Sequence, residues 1–174
     1  NPTNPYSASK ASADLLVQTY RQTFSLDAKI IRANNIFGHR QMSEKVIPKA
    51  IKYAYSQRKF SIHGSKLLSR HFLHTDDFSN ALIAIIISWD DIETYIFNIA
   101  ADESIEIREL VKIIYQFCDA DIELITIGTD RLFNDTDYKI NDKVLRKLGW
   151  RPEIKFLPAL KTLCLERSYI DPLF

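Results

Sequence analysis

The sequence predicts an α/β fold built on parallel strands, and three observations carry that prediction. Short β-branched runs (Ala28–Asn35, Tyr95–Ala100, Ile122–Ile127) alternate with longer segments whose apolar residues recur at helical spacing. The first helical segment passes into the first strand through only Ser25-Leu26-Asp27, the helix-then-strand rhythm of a parallel sheet. Apolar residues make up 46% of the 174, enough for a buried core of ordinary domain size.

The elements follow in chain order. Pro2 and Pro5 hold the entry extended, and from Ser7 to Phe24 neither Gly nor Pro interrupts a helix with Ala8, Ala11, Leu15, Leu16 and Tyr20 at helical spacing. Ala28–Asn35 reads as a buried strand, and Ile36–Arg40 as the loop at its carboxyl end, where open α/β sheets bind ligands. Glu44–Tyr55 is an amphipathic helix, with Pro48 tolerated in its first turn. Phe60–His63 and Arg70–His74 alternate as short strands about a turn containing Gly64. Asp76 opens a helix to about Ser88, its acidic residues suited to the positive end. Tyr95–Ala100 is a strand, and Ser104 is placed as the N-cap of a helix over Ile107–Phe117. Ile122–Ile127 is read as a strand, Asn141 as the cap of a short helix ending at Gly149, and Phe156–Tyr169 as a last helix with Pro158 in its first turn.

Composition excludes some roles. A net charge of +1 offers no bulk attraction to nucleic acid or to an anionic membrane, so any bound anion must be held by locally placed cations. The longest apolar run, Ala81–Ile87, is too short to cross a bilayer. Cys118 and Cys164 lack metal-ligand spacing and sit in apolar helical text; they read as buried thiols of a reducing, cytoplasmic protein, with a disulfide between them left open. His63, His71 and His74 alternate as strand residues do and have no carboxylate or thiolate company at ligand spacing, so no metal site is expected. Trp150 is expected in the core.

The chemistry-bearing pair is Tyr6 and Lys10, one helical turn apart on one face. A free tyrosine ionises near pH ~10 and is a poor base at neutrality. A lysine ammonium within a few ångströms favours the phenolate, so the two can act as an acid/base couple, with Lys10 also free to hold a hydroxylated ligand. The same spacing on an exposed helix also describes an ordinary surface pair. Spacing alone does not separate the two.

The surrounding text does. Pro5-Tyr-Ser-Ala-Ser-Lys-Ala-Ser-Ala-Asp14 resembles the catalytic helix of the extended short-chain dehydrogenase/reductases that act on nucleotide sugars. Arg32–Gly38, Glu44–Pro48, Ile62–Gly64, Arg70–Asp77, Phe97–Ile99, Asp130-Arg131, Asn134-Asp135, Tyr138 and Leu148–Pro152 then follow in an order similar to that of dTDP-glucose 4,6-dehydratases, most of all the eukaryotic and large-virus branch. The resemblance implies the C-terminal part of a doubly wound NAD(P)-binding Rossmann fold plus a small α/β substrate-binding domain. Residues 1–40 would give the catalytic helix and strand, and 41–174 mainly the substrate-binding region, with Rossmann elements returning around 70–100.

The same likeness implies NAD as cofactor, a dTDP-sugar as substrate and a homodimer for the full-length protein. Tyr6 would be the acid/base and Lys10 the ligand of the nicotinamide ribose, with Asn34 on the cofactor side. Asn35 would contact the sugar–diphosphate, Glu44 and Lys45 would sit at the sugar-nucleotide mouth, and Arg70 and Arg131 would bracket the diphosphate, as forked donors suit. Asn98 and Asn134 would support the nucleotide side, and His63 the base.

Departures from the family's pattern are His39 and Ser43 where proline is usual, Lys66 for glycine, Leu132 for proline and Asp137 for arginine. They imply weaker substrate binding. The chain begins at Asn1, and none of its four glycines forms a Gly-rich phosphate loop. The sequence therefore reads as the C-terminal portion of a longer protein, expected to fold only in part and to be inactive alone. Within the same resemblance stand a nucleotide-sugar 4-epimerase or decarboxylase, and a catalytically dead binding or scaffold homologue.

Overall fold

The structure, a computed structural model, describes residues 2–64, 68–129 and 140–166. Helix α1 (Pro5–Phe24) starts on Asn4, whose side chain accepts the Ser7 N–H at 2.9 Å, with Pro5 pre-set for the first turn. Strand β1 (Ile30–Ala33) follows and pairs in parallel with β5 (Ile96–Ile99), Ile30 opposite Ile96 and Ala33 opposite Ile99.

The apolar run after α1 does not continue as one strand into a loop. It breaks at Asn34, whose N–H donates to Ile99 O while its side-chain oxygen accepts the Ala101 N–H at 3.0 Å. Strand β2 (Asn35–Phe37) then leaves β5 and pairs in parallel with β4 (Ser69–His74), so Ile36 and Phe37, expected in a loop, are strand residues. One buried asparagine thus passes the chain from one sheet to another.

Helix α2 (Val46–Tyr55) buries Ile47, Ala50, Ile51 and Ala54, the stripe its periodicity predicts. Strand β3 (Phe60–His63) alternates buried and exposed residues as expected, but Gly64 does not close a hairpin onto β4. The partner of β3 is β7 (Ile125–Gly128), in parallel from Phe60–Ile125 to His63–Gly128. Helix α3 (Thr75–Ile87) begins where expected, with His74 Nδ1 accepting the Asp76 N–H and two aspartates in the first turn.

Ser104 is not a helix cap. Ser104–Glu106 forms strand β6, antiparallel to β4 with Ser69 opposite Glu106, and α4 (Ile107–Phe117) starts directly from its end. The open edge of β4 takes those backbone groups into a ladder, which outweighs the capping preference of a serine. The expected strand from Ile122 is likewise shortened. Asp121 accepts the Glu123 N–H at 2.9 Å and sets a 3-10 turn over Ile122–Leu124, so the β ladder starts only at Ile125. Helix α5 (Lys143–Lys147) has the Asn141 side chain accepting Lys143 N–H at 3.0 Å, and Gly149 follows at φ +87. Helix α6 (Phe156–Leu165) carries Pro158 in its first turn; Tyr169 lies outside the described residues.

Two apolar clusters hold these elements. The larger joins α2, α4 and α6 to Phe37, Phe60, Ile62 and Phe72 of the strands. The second gathers Leu73, Ala81, Ile85, Phe97, Ile99, Leu145 and Trp150 around the β1–β5 pair and α3. Trp150 is a core residue, as expected, and its indole N–H donates to Asp77 O at 3.1 Å. The Asp77 carboxylate accepts Glu153 and Ile154 N–H at 3.0 and 3.1 Å, tying the α5–α6 connection to the start of α3.

Cys118 and Cys164 are free, buried and hydrogen-bonded to each other in the larger cluster. That bond and burial push the Cys164 thiol well above its ordinary range, while the same bond holds Cys118 below its own. Among the described residues, no helix is long and apolar enough to cross a membrane.

Candidate active site

Tyr6 and Lys10 occupy the first two turns of α1, with the Lys10 ammonium 5.9 Å from the Tyr6 ring centre. Three polar contacts fix how α1 lies on the sheet. Arg21 reaches Ala28 O at the start of β1, Gln18 accepts from the Tyr95 hydroxyl at 3.4 Å, and Asp14 pairs with Arg32 at 2.6 Å near the end of β1. The helix therefore runs antiparallel to β1. Tyr6, eight residues before Asp14, lies about 12 Å further on at 1.5 Å per residue. That carries the phenol past the carboxyl end of β1, toward the level of Asn34 and Asn35. Tyr6 is 71% exposed, so its hydroxyl is open to an incoming group.

Beside this end of the sheet lies a cavity of about 530 Å3, a size suited to a small-molecule ligand. It is walled by β2, the segment leading into α2, β3 and β4. Asn35, Glu44, Lys45, His63 and Arg70, drawn from four separate stretches, all line it. Arg70, half-buried on β4, donates to Ser69 O at 2.8 Å, and Lys45 lies 3.9 Å from the Glu44 carboxylate. Lys45, Lys49 and Arg70 face Glu44 as the one carboxylate among the described lining residues, so the cavity is electropositive in a chain that is nearly neutral.

Other expected site residues are placed elsewhere. Asn34 is buried, turned to the Ala101 N–H, and borders a smaller recess with His71 and Arg146. Asn98 projects from β5 to donate to Asn141 O at 2.9 Å, a tether between β5 and the start of α5. Tyr6 and Lys10 are not among the cavity-lining residues. Arg131 and Asn134, with Lys66, Leu132 and Asp137, lie outside the described residues. His71 is buried, with Nδ1 3.2 Å from Ala101 O.

Three polar lining residues were missed by the sequence reading: Gln41, Lys49 and Ser61. Two had a usable signal. Lys49 is one turn from Lys45 on the same helix face, and Ser61 is two residues from His63 on the same strand face. Gln41 is fixed by donating its amide to Ile36 O at 2.7 Å, a tertiary contact that no spacing announces.

The chain thus combines a Rossmann-type α/β frame with an exposed tyrosine–lysine pair on α1 and an electropositive cavity walled by β2, β3 and β4. The family model described as "NAD dependent epimerase/dehydratase family" matches residues 1–100, and the chain belongs to that family. It is 33% identical over 166 residues to the human dTDP-D-glucose 4,6-dehydratase, covering 92% of this chain and 47% of that protein. Its fold superposes on the dTDP-glucose 4,6-dehydratase DesIV of Streptomyces venezuelae, solved with NAD bound, at a TM-score of 0.88 and 28% identity, over 99% of this chain and 52% of that one. A UDP-glucose 4-epimerase from Thermotoga maritima shares the fold at a TM-score of 0.84 with 19% identity, over 98% and 56%. The chain thus spans about half the length of these relatives.

Proposed function

We propose that the intact protein is an NAD-dependent nucleotide-sugar 4,6-dehydratase acting on dTDP-glucose, and that these 174 residues supply its acid/base pair and most of its substrate pocket. The observation that carries this reading is the cavity: five residues singled out by family likeness, from four stretches of chain, line one electropositive space. The resemblance to named dehydratases favours this activity over 4-epimerisation, for which the likeness shows the fold alone.

The residues present fit one end of a dinucleotide. Tyr6 and Lys10, both exposed at the carboxyl end of β1, suit the nicotinamide ribose, whereas no glycine-rich loop for the pyrophosphate occurs in the sequence. When bound, the nicotinamide supplies a reversible hydride acceptor for the sugar C4. The Tyr6 phenolate would take the proton of the sugar 4-hydroxyl, which stays off in the 4-keto product, while Lys10 donates to ribose hydroxyls and holds positive charge beside the phenol. Arg70 and Lys45 hold the diphosphate, Asn35 binds the sugar–diphosphate junction, His63 borders the base, and Glu44 lies at the mouth. Arg131, Asn134 and Asn98 complete the nucleotide side, and Asn34 the cofactor side. Residues 1–40, with elements around 70–100, belong to the cofactor domain, and most of 41–174 to substrate binding. The carboxylate group that removes the C5 proton is supplied from outside these residues, so the 174-residue chain does not turn over alone. The intact protein is a homodimer closed over α1, whose Leu15, Leu16, Tyr20 and Phe24 are exposed.

Incubation of the intact protein with dTDP-glucose and NAD is expected to yield a 4-keto-6-deoxy product, read by its absorbance in alkali. Tyr6→Phe should lower the rate by about 10²–10⁴-fold. A folded, NAD-binding protein that yields no such product sinks the dehydratase reading.

A further inference from the structure

Helix α2 breaks the electrostatic rules for a helix start. Lys45 is its N-cap and makes no side-chain capping bond, and no acidic residue occupies its first turn. Lys49 follows one turn later, so two lysines border the cavity at the end where the helix dipole already disfavours cations, Lys45 with the Glu44 carboxylate 3.9 Å away. Pro48 removes one backbone donor there, leaving the N–H groups of Val46 and Ile47 without helical partners. Both lysines and Val46 line the cavity.

Lys49 itself is half-buried. Its ammonium lies 5.5 Å from the Tyr53 ring centre and 5.7 Å from that of Phe60, and among the described residues it makes no ion pair. The two rings pack edge-to-face at 5.7 Å, and Arg58 stacks 4.5 Å from the Tyr53 ring centre. The aromatic pair therefore braces Lys49 at the cavity wall. Lys45 has the Glu44 carboxylate beside it, whereas Lys49 has two rings and, among the described residues, no carboxylate, and a position that breaks a local rule at a cavity is where function is expected. An anion in the cavity would offset the Lys49 charge and meet the uncapped helix start.

We infer that Lys49 is a further ligand-binding residue of this site, holding a phosphate of the nucleotide together with Lys45 and the start of α2. This rests on the nucleotide-sugar reading for the identity of the anion. The test is titration of the intact protein with dTDP, with thymidine as the phosphate-free control, comparing wild type with Lys49→Met and Lys49→Arg. Lys49→Met keeps the apolar stem on Tyr53 and Phe60. It should weaken dTDP about tenfold, leave thymidine unchanged and flatten the salt dependence of dTDP binding, with Lys49→Arg restoring most of the loss. A structural lysine would not produce that split. Equal dTDP affinity in Lys49→Met overturns the inference while leaving the dehydratase reading to its own turnover assay. A wild-type protein that binds neither dTDP nor inorganic pyrophosphate overturns both. One that binds dTDP through Lys49 but makes no 4-keto product keeps the inference and sinks the dehydratase reading.

Discussion

Helices α1 and α4 both carry apolar residues at helical spacing and meet opposite fates. In α4, Leu110, Val111, Ile114 and Tyr115 are fully buried between α2 and α6. In α1 no residue is buried, and Leu15, Leu16, Tyr20 and Phe24 are each more than half exposed. The side of α1 that meets the sheet is polar: Asp14, Gln18 and Arg21 make its contacts with Arg32, Tyr95 and Ala28. Periodicity says that a helix has an apolar face. It does not say what covers that face.

This contrast can be broken or sharpened by measurement. The largest effect belongs to α4. Ile114→Ala should cost about 2–5 kcal/mol in chemical unfolding, because the interior closes poorly over a deleted side chain. A loss under about 1 kcal/mol would mean that the α2–α4–α6 core is not the packed unit described.

An intermediate effect comes from Tyr115, whose hydroxyl donates to Arg58 O at 2.8 Å. Burial, with smaller contributions from Cys118 and Tyr53, pushes this phenol up to about 12. The unfolded chain ionises first, near the ordinary value of 10.0, so the stability Tyr115 contributes is complete below pH 10.0 and drains away as pH rises toward about 12. Tyr115→Phe should flatten that alkaline decline in thermal melts, and an unchanged decline would assign it to other groups.

The smallest effect is expected on α1. Leu16→Ala should change the stability of the dissociated protomer by less than about 0.5 kcal/mol, as at surface positions generally. A loss rivalling that of Ile114→Ala, especially one that depends on protein concentration, would show that a second copy covers this face in solution.

What the sequence made legible divides along the same line. Periodicity found α2, α3, α4 and the strands β3, β4 and β5, because each buries its own pattern against neighbours in this chain. It misread places where a local side-chain bond or a distant strand decided the outcome. Asn34 diverts β2 into another sheet, Asp121 holds a 3-10 turn, and β4 recruits Ser104. At the site, charged residues within recognisable motifs were found. Gln41 was not, since its place depends on Ile36 O, and Asn98 serves a tether to Asn141 that only the folded chain reveals.

The parallel pairings carry a consequence for how the molecule is made. β1 waits for β5, β3 waits for β7, and the Asp77 carboxylate closes onto Ile154, 77 residues later. Such distant partners give a high contact order, and loop-closure entropy is spent before these contacts form. On the ribosome, β3, one wall of the cavity, gains its strand partner only after Gly128 has emerged. The cavity is therefore among the late structures to form, and a truncation before β7 should leave its cations in place on the chain but never gathered.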